Sequence, residues 1–249
     1  GNYIYPSLID VYSDYGIPAK PKKKNEWKPQ PLSEKPGAYG WNEALMPEFN
    51  ANEHFVADAK KATGLRQLGF GTVLSHRQDG IARGTGTVVL LADKNENELI
   101  LSGKATAHYS FRKGTSTQSY PSSLMGAIAL LRQTYLDADW YAKTNGEKEY
   151  NVSLQAWDDN QTLPQIFEAE GRLSILRADK IGDEFGIQYI IKGNGDEYQR
   201  LDAIKATGAT LIIPINFPDA YDVADPFDAR NTSLHQMKHW ELAPTNPSV

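Results

Sequence analysis

The chain has 249 residues, enough to bury the core of one large or two small domains, and its composition is that of an ordinary globular protein. Its net charge of −5 argues against a nucleic-acid surface, because binding to phosphates needs clustered Lys and Arg side chains. No apolar run reaches the roughly 20 residues that cross a bilayer, so we expect a soluble protein with no membrane partner. The absence of cysteine excludes disulfides and thiolate metal sites.

The sequence of residues 1–144 predicts two helices and several short strands that are joined by loops. Apolar runs bounded by polar segments predict strands at residues 8–11, 68–75, 86–92 and 99–109, of which the last two form a β-hairpin. A Gly- and Arg-rich loop at 76–84 follows the second of these strands. Residues 52–63 predict a helix that ends at Gly64, and Ser122 or Ser123 can cap a longer amphipathic helix.

The last hundred residues alternate apolar strands with amphipathic helices that end at glycine. Strands are predicted at 163–169, 187–191 and 210–215, and helices at 173–185 and 196–207. Near-continuous apolar strands between such helices predict a parallel sheet covered by helices. Residues 219–249 form an acidic, Pro-rich tail with one short helix near 233–240.

These elements predict an α/β fold with about five parallel strands and an inserted β-hairpin. Five strands are too few for the eight-stranded barrel that the alternation suggests. We therefore expect an incomplete or distorted (β/α)8 barrel over residues 1–218, followed by the tail at 219–249. The missing strands are expected from the rest of a longer parent chain or from a second protomer that completes the barrel.

Several stretches, taken in their order and spacing, carry a family resemblance. They are PSLIDVYSDYG at 6–16, GFGTVLSHR at 69–77, YPSSLMGAI at 120–128, LPQIFEA at 163–169 and YIIKG at 189–193. Together they resemble the amidohydrolase superfamily, in particular imidazolonepropionase-like members found as long bacterial proteins with tandem modules. The resemblance implies a distorted (β/α)8 barrel that hydrolyses non-peptide carbon–nitrogen bonds, often in cyclic amides, with zinc or another divalent metal at the strand ends. It leaves open whether the compartment is the bacterial cytoplasm or the periplasm.

The metal-binding positions of that superfamily hold other residue types here. The resemblance places the first-strand His-x-His motif at Tyr12 and Asp14, the fifth-strand histidine at Glu168 and the sixth-strand histidine at Lys192. A neutral phenol and an ammonium are poor metal ligands. We therefore expect no bound cofactor, and a salt-bridge cluster of Asp14, Glu168 and Lys192 in its place.

The resemblance then implies an amidohydrolase-like module that is not catalytic by itself and supports an active module elsewhere in a longer protein. One alternative is an active hydrolase in which Asp14, His76 and Glu168 hold one metal, while Lys192 acts as a base or as a carboxylated ligand. The other is a module that binds a sugar or a peptide through aromatic side chains, namely Trp27, Trp41, Trp140, Tyr12 and Tyr15.

The loop after the second predicted strand supplies candidates for binding a small ligand. His76 and Arg77 close that strand and are expected to face the cavity at the strand ends. With Arg83 and the backbone N–H groups of nearby glycines they could hold an anionic ligand, and Tyr12 is a further candidate contact. A structured loop with a hydrogen-bonded histidine is the alternative at this position.

Overall fold

The computed structural model describes residues 3–21, 27–35, 42–144, 149–215, 217–219 and 224–248. One aromatic candidate, Trp41, lies outside these residues. The chain divides into two compact units, Gly1–Gln165 and Ile166–Val249. The division predicted after Pro218 is a different one and stays a prediction.

Four strands form the sheet of the first unit in chain order. They are β1 (Leu8–Ser13), β2 (Phe70–Ser75), β3 (Ala82–Leu90) and β4 (Ile100–Ser110). β1 and β2 are parallel, whereas β2 with β3 and β3 with β4 are antiparallel. β1, β2 and β4 therefore run in one direction, and their carboxyl ends meet at one edge together with the start of β3. Whether the β3–β4 pair is an insertion stays a prediction.

The helices of the first unit are α1 (Ala51–His54), α2 (Ala59–Gln67), α3 (Glu96–Leu99), α4 (Leu124–Lys143) and α5 (Val152–Asn160). The single helix predicted at 52–63 is wrong, because Asp58 caps a new helix by accepting a hydrogen bond from the Lys61 N–H. Gly64 lies inside α2, which ends just before the left-handed Gly69. α4 begins as predicted, with Ser123 accepting from the Gly126 N–H.

Two apolar clusters hold the first unit together. One joins α2 and α3 to the sheet through Tyr15, Phe55, Ala62, Val73, Val89, Leu91 and Leu99. In the other, the buried Trp157 of α5 meets Tyr109 and Tyr135 edge to face, with ring centroids 5.4 and 4.8 Å apart. This second cluster packs the unpredicted helix α5 against α4 and β4.

The second unit contains a parallel sheet, as predicted. Its strands are β5 (Gln165–Glu168), β6 (Ile190–Lys192) and β7 (Thr210–Ile212), and its helices are α6 (Arg172–Phe185), α7 (Leu201–Thr207), α8 (Pro226–Asn231) and α9 (Leu234–Leu242), with 3-10 turns at Glu197–Arg200 and Ala243–Ser248. α6 and α7 end at Gly186 and Gly208 in left-handed conformations, which confirms both predicted stops. The α/β class is confirmed. Among the described residues, no helix has the length and apolar character needed to cross a membrane.

Candidate functional site

Polar side chains gather where β1, β2 and β4 end. Tyr12 lies near the end of β1, His76 directly follows β2, and His108 lies near the end of β4. Arg83 joins them from the start of the antiparallel strand β3. We call these four residues the strand-end cluster. Its members Tyr12, His76 and Arg83 are candidates named from the sequence, whereas His108 is not among them.

The two histidines of the strand-end cluster form a stacked pair inside the first unit. The rings of His76 and His108 lie 3.6 Å apart between centroids, with 7° between their planes, and both residues are buried. The rings of Tyr12 and His76 meet edge to face, with their centroids 4.4 Å apart. Parallel imidazole planes direct their nitrogen lone pairs side by side and not towards one point. This arrangement therefore does not form a chelating histidine pair.

Arg83 brings a positive charge into the cluster. Its side chain is fully buried, and its Nε donates a 3.0 Å hydrogen bond to the carbonyl of Gly80. Its Nη1 donates a 2.9 Å hydrogen bond to the hydroxyl of Tyr12. A divalent cation bound to that hydroxyl would lie close to the guanidinium and would be repelled by it.

His108 is held in a space that a glycine leaves free. Its Nε2 lies 2.7 Å from Thr106 Oγ1, and its buried Nδ1 finds no hydrogen-bond partner among the described residues. Burial lowers the pKa of His108 well below its ordinary value of 6.5, and the neighbouring His76 and Arg83 lower it further. A Cβ on Gly86 would lie 2.7 Å from both Nε2 and Thr106 Oγ1. A glycine inside a strand signals such close approach, and it is the sequence feature that could have indicated His108.

The Arg77 side chain stabilises the loop that follows β2 through contacts with three other residues. Its Nη2 donates to Asp79 at 3.0 Å, its Nη1 lies 2.7 Å from Met46 Sδ, and its guanidinium sits 5.4 Å from the ring centroid of Phe49. Burial raises the pKa of Asp79, but the bonds from Arg77 and Thr115 outweigh burial and leave this pKa below its ordinary value. These contacts favour the structured-loop alternative, and a ligand-binding role for Arg77 stays a prediction.

The candidate acids and the lysine lie in different units. Asp14 follows β1 in the first unit, and its side chain is exposed. In the second unit, Glu168 and Lys192 are register partners of β5 and β6, and Lys192 Nζ lies 3.6 Å from Glu168 Oε1. The structure thus contains the Glu168–Lys192 part of the predicted salt-bridge cluster. The part that includes Asp14 stays a prediction.

The aromatic candidates occupy different environments. Tyr12 belongs to the strand-end cluster, whereas Tyr15 packs against Phe55 at 5.7 Å between ring centroids. Trp27 and Trp140 are 75% and 60% exposed. Tyr12 and Tyr15 therefore offer no shared platform for a sugar or a peptide, and that alternative stays a prediction.

The residues that the resemblance places at metal positions do not fit a divalent ion. Tyr12 presents a hydroxyl that already accepts a bond from a guanidinium, and Lys192 presents an ammonium. Within the part of the chain that the structure describes, no three His, Asp or Glu side chains lie close enough together to hold a metal. The donor set is therefore the wrong chemistry for zinc.

Comparison with known proteins identifies a shared fold. No sequence profile of a protein family matches the chain, and no curated protein matches it. Among solved structures, an amidohydrolase from Thermotoga maritima MSB8 matches with a TM-score of 0.64 at 17% identity. The match covers 96% of this chain and 63% of that chain, so our chain spans less than two thirds of its solved neighbour. The chain has an amidohydrolase-like fold.

Proposed function

We propose that this chain is a metal-free amidohydrolase-like module, without hydrolytic activity of its own, that supports an active module elsewhere in a longer protein. We further propose that the parent protein is of the imidazolonepropionase-like bacterial type. The amidohydrolase-like fold supports the general class. The observation that carries the metal-free proposal is the hydrogen bond from Arg83 to Tyr12, at the strand end where the superfamily has its first metal ligands.

A guanidinium can replace the charge of a metal ion but not its chemistry. Hydrolysis by this class of enzyme needs a divalent ion with an open position, at which a water molecule becomes acidic enough to react. The guanidinium of Arg83 offers only N–H donors, and it has neither an acceptor nor an open coordination position for water. It can therefore stabilise the polar groups at the strand ends without activating water.

The ion pair in the second unit supports the same proposal. The resemblance assigns Lys192 to the position of one metal-binding histidine and Glu168 to that of another, and the two side chains form an ion pair. An ammonium ion has three donors and no acceptor, so it cannot coordinate a cation while protonated. In each unit, a basic side chain lies where the resemblance implies a metal ligand or its ion.

The active-hydrolase alternative receives less support from the geometry. It needs His76 to turn a ring nitrogen to a metal, but this ring is buried face to face with His108. It also needs Asp14 to approach the same ion, and the Asp14 side chain is exposed beyond β1.

Rebuilding the superfamily motif tests whether Arg83 excludes a metal. The variant Tyr12→His/Asp14→His restores His-x-His, and a triple variant adds Arg83→Met. We expect the triple variant to bind cobalt(II) at least about tenfold more tightly than the double variant, because the buried charge is gone. The matched control adds Arg66→Met, which removes a surface arginine paired with Asp93. Equal cobalt affinity of the double and triple variants would count against the proposal.

A further inference from the structure

The face of α4 that points away from the core carries large apolar side chains. At about 100° per residue, seven residues of this helix fall within one stripe roughly 100° wide. They are Met125, Ala129, Arg132, Leu136, Asp139, Trp140 and Lys143, and all of them are exposed. Met125, Leu136 and Trp140 are 75%, 56% and 60% exposed. The solvent face of a helix is normally polar, so this α4 stripe has the character of a contact surface.

The residue types of the α4 stripe are those of protein interfaces. Trp, Met and Arg are enriched in interfaces, and Trp and Arg often provide much of the binding energy. Charged residues border the apolar ones, an arrangement that marks interaction sites on soluble proteins. The opposite face of α4 is buried through Leu131, Thr134 and Ala138, so core packing holds the stripe on the surface.

The α4 stripe is complementary in charge to a reversed copy of itself. Arg132 lies on the N-terminal side of Leu136, whereas Asp139 and Trp140 lie on its C-terminal side. A twofold axis through Leu136, perpendicular to the helix, generates a second α4 that runs antiparallel to the first. Arg132 of one copy then lies opposite Asp139 and Trp140 of the other, with which a guanidinium can form an ion pair and a cation–π contact.

We propose that this chain forms a homodimer in which α4 packs antiparallel against α4 of a second copy, with Leu136 at the twofold axis. The two Leu136 side chains meet at the centre, and the contacts between Arg132 and Trp140 lie on both sides of it. The helix macrodipoles of an antiparallel pair also attract each other. This dimer adds no strand to either sheet, so it does not depend on how the barrel is completed. Seven residues a side are fewer than the roughly 20–30 of a standard interface, so we expect a reversible dimer.

Other ways of pairing two copies of α4 fit less well. A twofold axis between Arg132 and Gln133 would set Met125 opposite Trp140, but it would bring the two Arg132 guanidinium groups together. Parallel pairing places every residue beside its own copy and has the same defect. Like charges that face each other across an interface are destabilising, so the register centred on Leu136 is favoured.

Cysteine crosslinking tests the dimer and its register, because the chain has no cysteine of its own. Leu136→Cys places two thiols at the twofold axis, within the Cα separation of about 7 Å that a disulfide allows. In Ala129→Cys the two thiols lie about 21 Å apart along the helix axis. Under mild oxidation we expect a disulfide-linked dimer at least about tenfold faster with Leu136→Cys than with Ala129→Cys. The control Leu101→Cys, at a position of β4 that is 57% exposed, should be as slow as Ala129→Cys.

Sedimentation velocity of cysteine-free variants gives a second readout. Arg132→Glu should weaken the dimer at least about tenfold, because it brings acids together, and adding Asp139→Lys should restore the affinity. The control Arg177→Glu reverses the charge of an exposed residue of α6 and should leave the affinity unchanged. A chain that stays monomeric at its highest soluble concentration, equally fast crosslinking at the three positions, or no recovery in the double variant would each overturn the proposal.

Discussion

The Arg83 guanidinium and the Tyr12 hydroxyl meet at 2.9 Å across the edge of the sheet where β1 ends and β3 begins. This bond joins residues from two strands that do not pair with each other, since β2 lies between them. Behind it, the stacked rings of His76 and His108 fill the space next to Tyr12. The strand-end cluster is thus a packed polar layer, and its disruption should lower the free energy of unfolding.

Substitution of Gly86 tests the packing of the strand-end cluster. In Gly86→Ala the new methyl group would lie 2.7 Å from His108 Nε2 and Thr106 Oγ1, so these groups must move apart. We expect a loss of about 1–3 kcal/mol in the free energy of unfolding, measured with urea. The control Gly64→Ala adds a methyl group inside α2 with no atom within 4 Å, and it should gain about 0.5–1 kcal/mol. Equal effects of the two variants on the free energy of unfolding would contradict the close packing of Gly86 against His108 and Thr106.

The buried His108 should make stability depend on pH. Its pKa in the folded chain lies below the 6.5 of the unfolded chain, so the unfolded chain binds the proton first as pH falls. The stabilisation is complete above pH 6.5 and decreases below it, by at most about 1.4 kcal/mol per pH unit. Urea titrations between about pH 5 and pH 8 measure this slope.

The slope should be smaller in His108→Gln and unchanged in His235→Gln, because His108 is buried whereas His235 is exposed. If His108→Gln keeps the full slope, another group is responsible for the pH dependence.

Asp79 should contribute more to the free energy of unfolding than an exposed acid that also pairs with an arginine. Its carboxylate accepts bonds from the Thr115 N–H at 2.6 Å, the Thr115 hydroxyl at 2.8 Å and Arg77 at 3.0 Å. Asp79→Asn should cost about 1–3 kcal/mol of unfolding free energy at pH 7. Because its folded pKa is lowered, this contribution is present above pH 3.8 and disappears as pH falls through the folded pKa.

The matched control is Asp93→Asn, which removes a surface pair with Arg66 and should cost no more than about 1 kcal/mol. If Asp79→Asn lowers the free energy of unfolding no more than Asp93→Asn does, the loop does not depend on the Arg77–Asp79–Thr115 network.

The alternation of strands and helices was predictable from the sequence where local signals are strong. Gly186 and Gly208 end helices because glycine adopts the left-handed conformation without steric cost. The break between α1 and α2 was not predictable in the same way, because a buried Phe55 and the cap at Asp58 override an otherwise continuous helical pattern. α5 was missed although Asn151 caps it by accepting hydrogen bonds from the Ser153 and Leu154 N–H groups. The helix is short, and its Trp157 packs against residues that are distant in sequence.

Part of the candidate site was predictable from the sequence, namely the residues that lie beside strand ends. Tyr12, His76 and Arg83 stand beside strand ends, and strand ends can be located from apolar runs. His108 lies inside a strand, where alternation alone does not distinguish a histidine of the strand-end cluster from an ordinary inward-facing residue. The stack with His76 depends on the β2–β3–β4 order of the sheet, which is a property of tertiary structure.

Zinc binding by the unmodified chain tests the metal-free proposal most directly. The purified protein would be stripped with a chelator, titrated with zinc(II) in a calorimeter and then analysed for retained metal after gel filtration. We expect no stoichiometric zinc, because Tyr12 accepts a hydrogen bond from Arg83 and Lys192 pairs with Glu168. One tightly held zinc per chain that is lost in Asp14→Ala or in His76→Ala would contradict the proposal.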